Sequence, residues 1–150
     1  MYDGGEIIII NNIIFNNNQI DHAYFKGRPC IVISECNDKL SLLPLTSNYP
    51  KSTNDRQNTA IFFRNDFFDS TGSFKLKQVS YSNLSSIFQR ELRYYDVVSR
   101  ISYIRYARLL KEINEKKLDR YGLCKDIYLE ISDDLRNQNE EYSLLFRKKL

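Results

Sequence analysis

PCIVISECNDKLSLLPL, residues 29–45, decides the fold. Pro29–Ser34 is a short apolar run dominated by β-branched residues, the composition of a strand buried on both faces. Leu40–Leu45 (LSLLPL) is a second run, and Cys36-Asn37-Asp38-Lys39 between them reads as a hairpin connection. Working outward, Glu6–Asn11 (EIIIIN) and Ala60–Arg64 (AIFFR) are further buried-strand candidates, and Phe74–Val79 (FKLKQV) alternates apolar with polar at period two. Five short strands separated by turn formers predict a small, strongly bent antiparallel sheet or partial barrel.

From Leu84 the period changes. Ser99–Lys117 places Ser102, Tyr106, Leu109, Leu110 and Ile113 on one side of a helix, with Arg100, Arg105, Arg108, Lys111 and Glu112 on the other. Asp96 is its candidate N-cap. After a break at Asp119–Gly122, Tyr128, Ile131, Leu135, Tyr142, Leu145 and Phe146 recur at the spacing of a last helix. The expected architecture is therefore α+β in a single domain, residues 1–150. Its β core covers about 4–82 and the helices that pack with it about 84–149.

Composition narrows the class. A chain of 150 residues that is 42% hydrophobic has enough apolar surface for one sizeable core. Its net charge of +3 is too small for a polyanion-coating tail but allows a local basic cleft. No apolar run exceeds four residues, so a transmembrane helix is not expected. The opening MYDGGEIIII carries acids where a secretory signal would carry bases, which predicts a cytoplasmic protein. Three cysteines, Cys30, Cys36 and Cys124, have no paired spacing, so neither a disulfide framework nor a zinc knuckle is expected.

Two segments concentrate reactive side chains. His22-Ala-Tyr24-Phe-Lys26-Gly-Arg28-Pro29 feeds ionisable and aromatic groups straight into a buried strand. Pro44-Leu45-Thr46-Ser47 sets two hydroxyls at a strand end, followed by Lys51 in the polar stretch SNYPKSTNDRQN, residues 47–58. Strand ends are rigidly held yet face solvent, which suits functional groups. Each has a plain structural alternative: a solvated turn for Lys26 and Arg28, a hydroxyl-stabilised turn for Thr46 and Ser47. The basic run from Arg90 to Lys111, six basic against two acidic residues, is either a solvated face or a stripe that tracks phosphates.

The ordered trio GEIIII, KGRPCIVIS and LLPLTS resembles the MazF/Kid superfamily of RNA-cutting toxins over residues 4–47. There a G-[DE]-I strand, a K-x-RP strand start and a P-[LI]-[TS]-S strand end recur in this order. Length and the long helical second half resemble the type III toxin–antitoxin branch (ToxN, AbiQ, TenpN and CptN), the CptN group above all. The resemblance implies a bent MazF/Kid-like sheet and a metal-independent, sequence-specific endoribonuclease without cofactor. It also implies a repeat-derived, pseudoknot-type RNA antitoxin that the toxin itself processes, mRNA substrates, and a closed protein–RNA assembly. The family's arginine, hydroxyl pair and lysines map onto Arg28, Thr46 with Ser47, and Lys26 with Lys51. The pattern departs in one place: Asn48-Tyr49-Pro50 separates the hydroxyl pair from Lys51.

The residue types suit that chemistry. When the neighbouring 2′-hydroxyl attacks the phosphate, the protein must align the attack, move protons and neutralise a crowded phosphorane. Lys26, Arg28 and Lys51 bring positive charge, and Thr46 and Ser47 bring hydrogen-bond donors. His22 and Tyr24 are candidates for proton transfer or base stacking. Arg100, Arg105 and Arg108 are the candidate RNA-binding stripe, and no metal-ligand constellation is expected. The rival expectations are a MazF-type toxin silenced by a protein antitoxin, a non-catalytic RNA-binding module and a structural adaptor.

Overall fold

The computed structural model describes residues 2–13, 27–68, 79–116 and 118. In chain order its elements are β1 (Glu6–Ile10), β2 (Arg28–Cys36), β3 (Lys39–Pro44), α1 (Thr53–Gln57), β4 (Thr59–Phe63), β5 (Val79–Asn83), β6 (Phe88–Glu91), β7 (Val97–Arg100) and α2 (Tyr103–Glu115). The fold is α+β. Five antiparallel strands form an open sheet in the order β6-β3-β2-β1-β7, and β4 with β5 form a second, two-stranded sheet.

The hairpin expected at Cys36–Lys39 is present. Cys36 pairs with Lys39, and the two residues between them, Asn37 and Asp38, adopt φ of 54° and 60°. Positive φ at both central positions matches the twist of the flanking strands, and Asn and Asp are the side chains that tolerate it best. The strands then bury apolar residues on both faces, as their composition predicts. Ile8, Ile10, Cys30, Val32, Leu40 and Leu42 line one face, where Phe88, Leu92 and Tyr95 pack against them. Ile7, Ile31 and Leu43, aligned across the ladder on the other face, are also fully buried.

The sheet bends without closing into a barrel. Register shifts between Val32 and Ser34 and between Ile7 and Ile8 mark bulges, which bend a strand locally. On a flat sheet, β6 and β1 would lie about 14 Å apart, three spacings of ~4.8 Å. Yet the Arg90 guanidinium of β6 donates to the carbonyl of Asn12, just past β1, at 2.7 Å. The sheet therefore curves until β6 faces the chain leaving β1.

Two expectations about the second half need correction. The boundary between strands and helices falls at residues 101–102, well past the expected 82–84, because β6 and β7 are strands. Phe88–Glu91 pairs with β3 and Val97–Arg100 with β1, so partners distant in sequence override any local helical period. The helix starts later too. Its N-cap is Ser102, whose Oγ accepts from the Arg105 N–H at 3.2 Å, and Asp96 is an exposed loop residue.

The chain divides into two compact units, Met1–Ile101 and Ser102–Leu150. In the second, α2 buries Tyr106, Leu109, Leu110 and Ile113, four of the five residues that its period sets on one side; the fifth, Ser102, is the half-buried N-cap. Residues 74–78 of the expected fifth strand and the expected last helix lie outside the described residues; the strand that is described there, β5, begins at Val79.

Candidate functional site

Arg28 is the first residue of β2, and Gly27 sets its backbone. Gly27 has φ +85°, and a Cβ there would run into Cγ2 of Ile9, so glycine alone fits at this approach to β1. Cys30 pairs with Pro44, and the Leu45 N–H donates to the Pro29 carbonyl at 2.9 Å. Continuing that register places Thr46 opposite Arg28. The Arg28 Nη1 donates to the Leu45 carbonyl at 2.8 Å, so the guanidinium reaches the end of β3 at the residue before the hydroxyl pair.

Thr46 is clamped from the other side. Its N–H donates to the Tyr81 carbonyl (2.9 Å), and its carbonyl accepts from the Tyr81 N–H (2.7 Å). The Ser82 hydroxyl adds a buried bond to the Pro44 carbonyl (2.5 Å). The second sheet thus fixes the strand end that carries Thr46. The Thr46 Oγ1 accepts from the Asn48 N–H at 3.2 Å, closing the hydroxyl-stabilised turn anticipated as its structural alternative. That bond uses the oxygen as acceptor, and the hydroxyl proton remains available to donate outward. Ser47 and Lys51 are both exposed.

Three residues that the sequence did not single out converge here. The Tyr49 and Tyr81 rings lie 5.1 Å apart at 57°, and the Arg56 guanidinium sits over the Tyr49 ring, 5.2 Å from its centre. Arg56, on α1, is steered there by its Nε bond to the Pro50 carbonyl at 2.9 Å. An arginine stacked on partly exposed tyrosine beside cationic and hydroxyl groups is a surface on which a nucleobase can stack. The signal in sequence was faint: a Tyr-Pro immediately after the hydroxyl pair, and a tyrosine at the centre of the alternating VSYSN.

The remaining candidates are placed as follows. His22, Tyr24 and Lys26 lie outside the described residues. Arg100 is on β7, exposed, with its guanidinium 4.8 Å from the centre of the Phe68 ring. Arg105, on α2, is 3% exposed and pairs with Glu112 at 3.3 Å. Arg108 is half-buried on the same helix. These three do not form the single exposed helix face expected, because the strand β7 claims Arg100 and burial withdraws Arg105. Cys30 is buried and Cys36 exposed, neither of them in a disulfide, and Cys124 lies outside the described residues. Among the described residues no group of His, Cys, Asp and Glu is placed to hold a metal ion, and no helix is long and apolar enough to cross a membrane. Compared with known proteins, the chain matches no family model and no curated protein.

Proposed function

We propose that this chain is an endoribonuclease toxin of the type III kind, cutting RNA without a metal by attack of the neighbouring 2′-hydroxyl. The observation that carries the reading is the Arg28 guanidinium bonded to the Leu45 carbonyl at the open end of the β2–β3 hairpin, with the hydroxyl pair Thr46-Ser47 next in the chain. In that site the 2′-oxygen attacks phosphorus and the P–O5′ bond breaks. The proton leaves the 2′-oxygen to a base, and a second proton reaches the departing 5′-oxygen, giving a 2′,3′-cyclic phosphate and a 5′-hydroxyl. Arg28 offsets the charge that builds on the phosphorane, and the Thr46 and Ser47 hydroxyls donate to its non-bridging oxygens. Lys51 adds charge at the rim. His22 and Lys26 are the sequence-derived candidates for the proton and charge roles, with Tyr24 as a base-stacking candidate. The Arg56–Tyr49–Tyr81 stack offers the adjoining base a platform. The partners that follow are a repeat-derived RNA antitoxin, which the toxin processes and then retains in a closed assembly, and mRNA as substrate, all in the cytoplasm.

The test is cleavage of single-stranded RNA by purified protein in excess chelator, with the product ends identified. Cyclic phosphate ends are expected, and Arg28→Ala should slow the reaction by about 10²–10³-fold, the usual effect of removing one such donor. Activity lost on chelation and restored by magnesium rejects the mechanism, and an unimpaired Arg28→Ala rejects the site. A second reading, a non-catalytic RNA-binding module, is favoured by the turn bond on Thr46 and by the arginine–tyrosine stack. It requires tight RNA binding with no product at any enzyme concentration.

A further inference from the structure

The apolar face that holds Ile8, Ile10, Cys30, Val32, Leu40 and Leu42 gives way at one margin to a polar cleft of about 390 Å³. Its walls bring together Lys39, at the start of β3, Arg90 on β6, and Arg93 and Tyr95 from the loop beyond. Asn11 and Asn12, leaving β1, complete it. The cleft also contains one carboxylate, Glu91, which Arg93 engages at 3.1 Å. Among the described residues, three cations against one anion leave a surplus of positive charge.

Arg90 is the central member. It is held by a backbone carbonyl, that of Asn12, and by the Phe88 ring, 5.6 Å from its guanidinium carbon. Among the described residues it has no carboxylate partner, and its buried Nε makes no hydrogen bond. An arginine fixed in place without a counter-charge is a preformed anion receptor. Tyr95 is fixed as well: its N–H donates to the Tyr2 hydroxyl at 2.6 Å and its own hydroxyl donates to the Glu91 carbonyl at 3.1 Å.

The volume is that of a small-molecule site, well beyond what a bare inorganic anion fills. The polar walls are unsuited to an apolar ligand. A ligand that satisfies them needs a compact anionic group at one end and a flat, hydrogen-bonding body at the other. We infer that the cleft binds one nucleotide unit, its phosphate against Lys39, Arg90 and Arg93, its base against Tyr95 and the Asn11–Asn12 amides. This goes beyond the cleavage reading and does not require it, since the lining includes neither Arg28 nor Thr46 nor Ser47. The two places nevertheless adjoin: Ile10, in the cleft wall, is the ladder partner of Arg28. The unit is therefore either a free nucleotide or a neighbouring nucleotide of a strand that passes Arg28.

Calorimetric titration of the full chain decides the matter. Three probes are used: inorganic phosphate, the four ribonucleoside 5′-monophosphates, and a short 2′-O-methylated oligoribonucleotide that cannot be cut. Lys39→Gln and Arg93→Gln, both at exposed positions, are each expected to weaken nucleotide binding about tenfold, the worth of one charge-assisted hydrogen bond. Monophosphates that bind and respond to these changes establish a free-nucleotide site. An oligoribonucleotide that alone binds, with the same response, establishes a subsite for RNA. Phosphate binding as tightly as the monophosphates, no binding of any probe, or binding indifferent to both substitutions overturns the inference. RNA cleavage and its loss in Arg28→Ala are scored separately, so the cleft can fail while the proposed activity stands, and the reverse.

Discussion

Arg28 owes its position to a neighbour with no side chain. At Gly27 the chain turns into β2 through a left-handed conformation, hard against Ile9, and so delivers the guanidinium to the end of β3. Glu35, at the other end of β2, shows the same economy of placement. The Tyr2 backbone N–H donates to its carboxylate at 2.9 Å and holds its pKa below the usual glutamate range. The lowered pKa belongs to the folded state. The bond therefore adds stability above the ordinary glutamate pKa, and that contribution disappears as pH falls through the lowered one. Glu35→Gln should accordingly be less stable than the parent at neutral pH, and the gap should narrow in acid. Melting temperatures of both proteins measured from neutral pH downward check this, and parallel curves would rule it out.

The β2–β3 hairpin is the element on which both the sheet and the site depend. Its turn places Asp38 at φ 60°, a conformation that a β-branched side chain adopts only at a cost of about 1–2 kcal/mol. Asp38→Val should therefore lower the free energy of unfolding by that amount, read as a lower denaturation midpoint with the slope of the transition unchanged. An unchanged midpoint would mean that another turn type replaces this one at no cost. The hairpin was legible in sequence because its signals are local: β-branched runs, and Asn-Asp where positive φ is needed. By the same signals Glu6–Asn11 and Ala60–Arg64 were placed to within a residue or so of β1 and β4. Phe88–Glu91 and Val97–Arg100 were not legible. Each is four residues long, too short to show a period, and each is a strand only because β3 or β1 lies beside it. The site divides the same way. The proximity of Arg28 to Thr46 follows from hairpin register, whereas Tyr81 meets Tyr49 where the second sheet docks its backbone on Thr46, and Arg56 is brought over Tyr49 by its bond to the Pro50 carbonyl.

For the whole molecule, charge is local. A net charge of +3 gives weak long-range attraction, while Arg28, Lys51 and Arg56 at the hairpin end, and Lys39, Arg90 and Arg93 in the cleft, all belong to the unit Met1–Ile101. If the three cations at the hairpin end each meet one phosphate of a single strand, affinity should fall roughly ten- to twentyfold between 50 and 200 mM salt. Binding of an uncleavable oligoribonucleotide across that range measures the slope, and a flat response would exclude phosphate contact as the source of affinity. The clamp on Thr46 has another consequence, in the order of synthesis. Tyr81, which supplies both of its backbone bonds, is encoded 35 residues downstream. A ribosome adding ~5–20 residues per second needs roughly two to seven seconds to cover that distance. During that interval the hydroxyl pair has been made but the two backbone bonds that clamp Thr46 have no partner, so this strand end is completed only once β5 has followed it off the ribosome.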